Sequence, residues 1–358
     1  MRKVKALDQD NKKKKIAVLF GGCSSEYSIS LQSAYAVVQH FNKERYEMLL
    51  IGITKQGEWY LYTGEAEKIA QDTWMNEKDC TPVVISPSRQ LHGILLLEKN
   101  KIRRVSLDAV LPMLHGKNGE DGTVQGLLEL SGIPLVGCGT LSSALCMNKK
   151  LAHTIVEACG VRVPKSFVIQ KGFHFDQLKE RVASLGYPVY VKPVKAGSSL
   201  GITKVKREEE LYEAVQRAFL EDDEVILEEN IEGFEVGCAV LGTKEPIIGA
   251  VDKIDLKQGF LDFNEKYGQR TATIQMPALL APELIEKIKQ TGLNVYQALG
   301  CCGFSRVDLF VTPQEELVFN EVNTIPGFTV HSRYPSMLQG IGLSMNEVLD
   351  TLIDSAFA

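Results

Sequence analysis

The 358-residue sequence predicts a protein of two or three domains, α/β at its N-terminus and α+β beyond it. Three observations carry this reading. Strand-like runs, glycine loops and helical periodicity alternate through the first 136 residues, the pattern of a parallel α/β domain. The last third carries runs that read as antiparallel strands and a hairpin. Between them, the acidic run Glu221-Asp222-Asp223-Glu224 breaks the pattern, which sets the expected domains at 1–136, 137–224 and 225–358.

Residues 1–15, ending in the lysine run Lys12 to Lys15, read as a solvated, disordered lead-in. Ile16 to Phe20 is the first strand, followed by the loop Gly21-Gly22-Cys23-Ser24-Ser25 and a helix over Ile29 to Phe41. Met48 to Thr54 is the second strand. Residues 55–105 read as irregular, with short strands at Trp59 to Tyr62 and Gly93 to Leu97. Ala109 to Leu114 then leads into the glycine-rich loop 116–122 and a helix over Val124 to Ser131. The middle region offers a helix at Lys149 to Cys159, strands at Ser166 to Ile169 and Val189 to Pro193, and a charged helix from Arg207 to Leu220. After a strand at Val225 to Leu227, the long polar stretch Leu256 to Thr273 reads as a lid. A helix near Glu283 to Leu299 and an amphipathic helix near Ser344 to Phe357 complete the chain.

A net charge of −5 argues against a nucleic-acid partner. No run approaches the roughly 20 apolar residues of a membrane span, and Ile16 to Phe20 is too short for an export signal. A cytoplasmic enzyme with free thiols is expected, because the eight cysteines include no C-x-x-C pair. The six histidines show no zinc spacing, and no G-x-x-x-x-G-K-[ST] is present. Gly197-Ser198-Ser199-Leu200-Gly201 satisfies the G-x-S-x-G of a hydrolase elbow, but Ile202 to Lys206 alternates like a strand where an elbow needs a helix.

The most informative stretch is Arg306-Val307-Asp308, followed by Glu321-Val322-Asn323-Thr324-Ile325-Pro326-Gly327. On strands joined by the turn Thr312 to Glu316, Glu321 and Asn323 point one way and Asp308 can face them. Two carboxylates and an amide make a hard oxygen set suited to Mg²⁺, which substrate phosphates would complete.

Here the chain resembles the D-alanyl-D-alanine ligase family, whose members are ATP-grasp ligases. Further matches are Gly21-Gly22-Cys23-Ser24-Ser25-Glu26, Leu114-His115-Gly116-Lys117-Asn118-Gly119-Glu120-Asp121-Gly122, Met147-Asn148-Lys149, Val191-Lys192-Pro193, Gly197 to Gly201 and Glu265-Lys266-Tyr267. The resemblance implies a three-domain ATP-grasp fold, ATP, and Mg²⁺ as two ions, with Mn²⁺ able to replace it. It implies that Asp308, Glu321 and Asn323 ligate the metal, and that Lys149, Lys192 and Lys266 hold phosphates. Glu228 would accept from the adenine amino group, the backbone from Glu229 to Ile231 would meet the ring edge, and Glu235 would hold the ribose. Glu26 would take the first substrate's ammonium, with His115 nearby, and Tyr267 would close onto Ser198 and Glu26. Arg306 and the Gly327 N–H would face the oxyanion of the tetrahedral intermediate. A homodimer is common in the family.

The second substrate is read from Thr329-Val330-His331-Ser332-Arg333. Ordinary D-alanine ligases tend to have an apolar residue after the serine, whereas Arg333 offers donors to a hydroxyl. Glu26-Tyr27-Ser28 also resembles the D-serine branch of glycopeptide-resistance ligases. The expected substrates are therefore D-alanine and D-serine, with a second D-alanine as the alternative. A different ATP-grasp carboxylate–amine ligase would not be expected to carry the 115–122 and 266–267 motifs together. A non-enzymatic nucleotide-binding module is disfavoured by the intact metal and phosphate residues.

Overall fold

The computed structural model describes residues 13–255 and 273–357. The first twelve residues of the expected lead-in, and residues 256–272 of the expected lid with Lys266 and Tyr267, lie outside the described residues. The first strand begins two residues before the expected one.

Strand β1 (Lys14–Gly21) lies between β2 (Tyr46–Ile53) and β7 (Ala109–Pro112), parallel to both, with Val18 opposite Leu50 on one side and Leu111 on the other. Ile16 to Phe20 are buried without a break, because helices cover both faces of a central parallel strand. These helices are α1 (Tyr27–His40) and α3 (Thr123–Ser131).

The parallel part stops at β2. Beyond it, β3 (Trp59–Tyr62), β4 (Cys80–Ile85), β5 (Gly93–Glu98) and β6 (Lys101–Ser106) add antiparallel strands, giving the order β6-β5-β4-β3-β2-β1-β7. The region read as irregular is thus half of a mixed sheet. Its β6 carries little strand signal because Val105 is the one buried residue in an otherwise exposed, charged edge strand. A short helix α2 (Ala66–Ala70) packs on α1.

A four-stranded antiparallel sheet follows, formed by β8 (Ser166–Gln170), β9 (Val189–Pro193), β10 (Thr203–Val205) and β11 (Glu224–Glu229) in the order β10-β9-β11-β8. Helices α6 (Phe175–Leu185) and α7 (Leu211–Ala218) pack on it. The acidic run 221–224, read as the end of this region, leads into β11. That strand sits between β9 and β8, so a boundary at residue 224 would cut the sheet. Helices α4 (Thr140–Met147) and α5 (Lys149–Ala158) pack against the third sheet instead, sharing its core through Cys146, Ala152 and Val156.

The third sheet is antiparallel, with β12 (Phe234–Leu241), β13 (Ile247–Asp255), β14 (Thr273–Gln275), β15 (Phe304–Val311) and β16 (Leu317–Asn323) in the order β14-β13-β12-β15-β16. Helix α8 (Pro282–Ala298) packs on β12 and β15, and α9 (Arg333–Gln339) on β12 and β13. Helix α10 (Met345–Ser355) opens with a Ser344/Glu347 capping box and returns to α1.

Candidate active site

The register of the third sheet lays a row of polar side chains across four strands. Asp252 on β13 pairs with Gly237 on β12, Gly237 with Asp308 on β15, and Asp308 with Glu321 on β16. One step along, Arg306 stands opposite Asn323. Strand alternation places all these side chains on one face. Arg306 holds Asp308 with Nε to Oδ1 at 2.8 Å and Nη2 to Oδ2 at 2.7 Å, and Asn323 Nδ2 donates to the same Oδ2 at 3.0 Å. The Asn323 amide oxygen is thereby turned away from Asp308.

The hairpin register brings the oxygen donors Asp308, Glu321 and Asn323 to one face, and donors of this chemistry suit a divalent cation of the magnesium type. Among the described residues no group of three or more His, Cys, Asp or Glu is suited to a metal. A cation here would therefore depend on phosphate and water oxygens.

Gly237 leaves room for a guanidinium. A Cβ there would lie 2.5 Å from Arg333 Nη2 and 2.7 Å from Asp252 Oδ1. Arg333, the first residue of α9, reaches over the gap, with Nε to Asp252 Oδ2 at 2.7 Å, Nη2 to Asp252 Oδ1 at 2.9 Å, and Nη1 to Glu235 Oε1 at 3.2 Å. Nη2 also lies 3.3 Å from Asp308 Oδ1. Burial would lower the Arg333 pKa, but Asp252, Asp308 and Glu235 hold it well above the ordinary value. The sequence reading gave Arg333 to a substrate hydroxyl. The structure gives each of its three nitrogens a carboxylate neighbour and brings in Asp252, which no local pattern marked.

Between the second and third sheets, Lys192 on β9 meets Glu228 on β11, Nζ to Oε2 at 2.6 Å, and both are buried. Burial raises the Glu228 carboxyl, yet the charges of Lys192, His153 and Lys149 outweigh it and leave the group below its usual range. Its other oxygen, Oε1, is buried without a hydrogen-bond partner and lies 3.8 Å from His153 Nδ1. A buried acceptor in that condition is suited to an N–H from a ligand. Lys149, at the start of α5, donates Nζ to the Ala196 carbonyl at 2.7 Å, beside the 197–201 loop. Glu229 is committed elsewhere, accepting from Lys165 N at 2.9 Å beside Arg162. Ile231 lies in the turn between β11 and β12, and Glu235 opens β12 beside Arg333.

Glu26, just before α1, is buried between two glycines. A Cβ on Gly116 would stand 2.5 Å from its Oε2, and one on Gly197 2.7 Å. Ser198 Oγ donates to Glu26 Oε1 across 172 residues of sequence. Ser198 and Ser199 sit at φ 51° and 58°, a conformation that non-glycine residues adopt at a cost. This loop joins β9 to β10, a strand-to-strand turn and not the strand-to-helix turn of a hydrolase elbow. The 21–23 and 114–119 loops line one cavity of about 320 Å³.

The turn after β16 carries Gly327, against which Ser332 packs: a Cβ on Gly327 would lie 3.1 Å from Ser332 Oγ. Ser332 Oγ accepts from Thr329 N at 3.0 Å. His115 was read as a substrate contact, but both its ring nitrogens have protein partners: Nδ1 with the Ile325 carbonyl at 2.8 Å and Nε2 with Ser33 Oγ at 2.9 Å. Glu120, which the reading left without a role, accepts from Gly116 N and Ile325 N, both at 2.9 Å. Burial, with Glu26 nearby, pushes its carboxyl up to about 8.

Three sheets with a strand-borne lysine, a buried glutamate and an oxygen-donor hairpin between them define an ATP-grasp ligase. Family models describe both parts of the chain: D-ala D-ala ligase N-terminus matches residues 15–138, and D-ala D-ala ligase C-terminus residues 155–354. The chain belongs to the D-alanine–D-alanine ligase family and is an ATP-dependent ligase acting on D-amino acids with a divalent metal. It is 44% identical over 345 residues, covering 95% of this chain and 97% of the relative, to vancomycin C-type resistance protein VanC2 of Enterococcus casseliflavus. It is 42% identical over 349 residues, covering 96% and 95%, to the D-alanine–D-alanine ligase of Caldicellulosiruptor bescii. Among solved structures, the VanG D-Ala:D-Ser ligase from Enterococcus faecalis is 54% identical, with a TM-score of 0.90 over 96% of this chain and 100% of that one. No helix among the described residues is long and apolar enough to cross a membrane.

Proposed function

We propose that the enzyme joins D-alanine to D-serine through a D-alanyl phosphate, making a modified peptidoglycan precursor that confers glycopeptide resistance. The observation that carries the D-serine reading is Arg333, which follows Ser332 at the start of α9 and is oriented by Asp252 and Glu235. Of the guanidinium's five N–H donors, Asp252 and Glu235 take three as hydrogen bonds. A guanidinium so anchored makes a polar wall that favours a hydroxyl-bearing side chain, since a methyl group could not accept from its remaining N–H donors. The 54% identity to a D-Ala:D-Ser ligase supports the same choice.

In this reading Glu228 Oε1 accepts the adenine amino group, Glu235 holds the ribose, and Lys149 and Lys192 hold the phosphates, with Lys266 joining them. Asp308, Glu321 and Asn323 ligate Mg²⁺, which neutralises phosphate charge when bound. Glu26, fixed by Ser198, takes the ammonium of the first D-alanine, whose carboxylate attacks the γ-phosphate and displaces ADP. The second amine then attacks the acyl carbon, and phosphate leaves. Arg306 and the Gly327 N–H stabilise the oxyanion formed in that step.

A panel with ATP, Mg²⁺, D-alanine and D-serine, D-alanine or D-lactate as the second substrate, read as phosphate release and product mass, tests this. D-Serine should give the highest kcat/KM. A preference for D-alanine would make this an ordinary D-alanyl-D-alanine ligase.

A further inference from the structure

The segment on either side of Gly327 is gripped by three side chains from the N-terminal sheet and its helices. Ile325 is held at both ends of its residue: its N–H donates to Glu120 Oε1 at 2.9 Å, and its carbonyl meets His115 Nδ1 at 2.8 Å. Phe328 N–H, just past Gly327, donates to Ser33 Oγ at 3.2 Å, and Ser33 Oγ meets His115 Nε2 at 2.9 Å. The direction of every bond follows from chemistry. A carbonyl can only accept, so His115 Nδ1 carries the proton. Burial without a facing carboxylate pushes the His115 pKa down to about 4, so the ring is neutral and Nε2 is an acceptor. Ser33 therefore donates to His115 and accepts from Phe328 through its remaining lone pair. The second Glu120 oxygen accepts from Gly116 N at 2.9 Å, which anchors the carboxyl to the glycine loop from which it reaches.

We propose that Glu120 is a positioning residue for ligation: with His115 and Ser33 it clamps the peptides flanking Gly327 and so fixes the direction in which the Gly327 N–H points. The inference rests on the reading of that N–H as an oxyanion donor. The three bonds that grip the 325–328 segment all come from residues more than 200 positions away in sequence, so the segment's orientation is imposed from outside the third sheet. Preorganised donors stabilise a transition state because they need no reorientation during reaction. A side chain that aims such a donor matters to the acyl-transfer step and not to phosphoryl transfer.

Glu120→Gln keeps the shape but leaves only one acceptor atom for two N–H groups. Ser33→Ala, on the other side of the segment, frees Phe328 N–H and keeps the proposal testable if the first variant folds poorly. The enzyme is supplied with ATP, Mg²⁺, D-alanine and whichever of D-serine or D-alanine the wild type uses best. Three quantities are read: dipeptide formation, exchange of label between the β,γ-bridge and β-nonbridge oxygens of ATP with D-alanine present, and amide hydrogen exchange of the 324–329 segment. Expected are a fall in dipeptide formation of roughly 10- to 100-fold, isotope exchange in ATP within about threefold of wild type, and faster amide exchange. Unchanged amide exchange overturns the clamp whatever the substrate. Equal loss of both half-reactions overturns a positioning role. Faster amide exchange with undiminished dipeptide formation also overturns the proposal, and locates the fault in the reading of Gly327 as a donor.

Discussion

Arg333 meets Asp252 along the side edge of its guanidinium, with Nε to Oδ2 at 2.7 Å and Nη2 to Oδ1 at 2.9 Å, and in this fork Asp252 is fully buried while Nη2 also lies 3.3 Å from Asp308. A bidentate guanidinium–carboxylate pair fixes direction as well as charge. Removing one partner leaves the other as an uncompensated buried ion. Arg333→Met would strand Asp252 and take a cation from Glu235 and Asp308, so unfolding should become easier by about 3–5 kcal/mol. The double variant Arg333→Met with Asp252→Asn should recover part of that. Urea midpoints for the four proteins of the cycle check this, and additive losses would mean that the two residues are not coupled. The same melts show whether any change of second substrate in Arg333→Met occurs in a folded protein.

Gly237 is the gap in which that fork sits. In Gly237→Ala the new methyl would meet Arg333 Nη2 at 2.5 Å, Met337 Cε at 2.6 Å and Asp252 Oδ1 at 2.7 Å. Met337 can yield, but the ion pair cannot yield without losing hydrogen bonds. A loss of roughly 1–3 kcal/mol is expected, together with a drop in discrimination between D-serine and D-alanine larger than the drop in ATP affinity. A variant with wild-type discrimination would show that the position of Arg333 does not set the second substrate.

Much of this was legible in the sequence and some was not, for physical reasons. The apolar run Ile16 to Phe20 announces a strand covered on both faces, and the alternation in 304–323 announces the hairpin, because burial pattern and period are local properties. Strand β6 and the short helix α2 lack a continuous apolar face, and α9, although it buries Tyr334, Pro335, Met337 and Leu338, spans only seven residues, too few for a clear periodic signal. The row Asp252–Gly237–Asp308–Glu321 is invisible locally, since it exists only through the register of four strands. Glu120 lies in a motif that was recognised, yet its partner Ile325 N is 205 residues away. His115 reads from the sequence as reaching outward to substrate, while the fold turns both its nitrogens to protein partners, and Arg333 commits three of its N–H groups to Asp252 and Glu235.

Glu321 stands opposite Asp308 across the hairpin, on the face shared with Arg306 and Asn323. Glu321→Gln keeps the volume and removes the charge that a divalent cation would need. Turnover should fall by at least about 100-fold while the urea midpoint changes little, and Mg²⁺ should no longer tighten ATP binding in calorimetry. Normal Mg²⁺-dependent turnover in this variant would remove Glu321 from the metal set.

The last expectation concerns acid. His115 titrates at about 4 in the folded chain because burial disfavours its charged form, against about 6.5 when unfolded. Between these values the unfolded state binds the extra proton. Stability is therefore lost as pH falls from about 6.5 toward 4, by roughly 3 kcal/mol in all. Glu120 acts with the opposite sign. Its carboxyl is raised to about 8 by burial and by Glu26, so the folded state holds the extra proton above about 4.3, and stability is lost as pH rises toward 8. Because the two overlap, the wild-type profile alone cannot separate them. The informative quantity is the difference between wild type and His115→Gln, measured by urea unfolding from pH 4.5 to 7.5. The advantage of the wild type should shrink as pH falls through 6.5 and be flat above 7. A difference that stays constant across the range would mean that His115 is not held neutral by the fold, and the proton assignments in the Ser33–His115–Ile325 chain would fall with it.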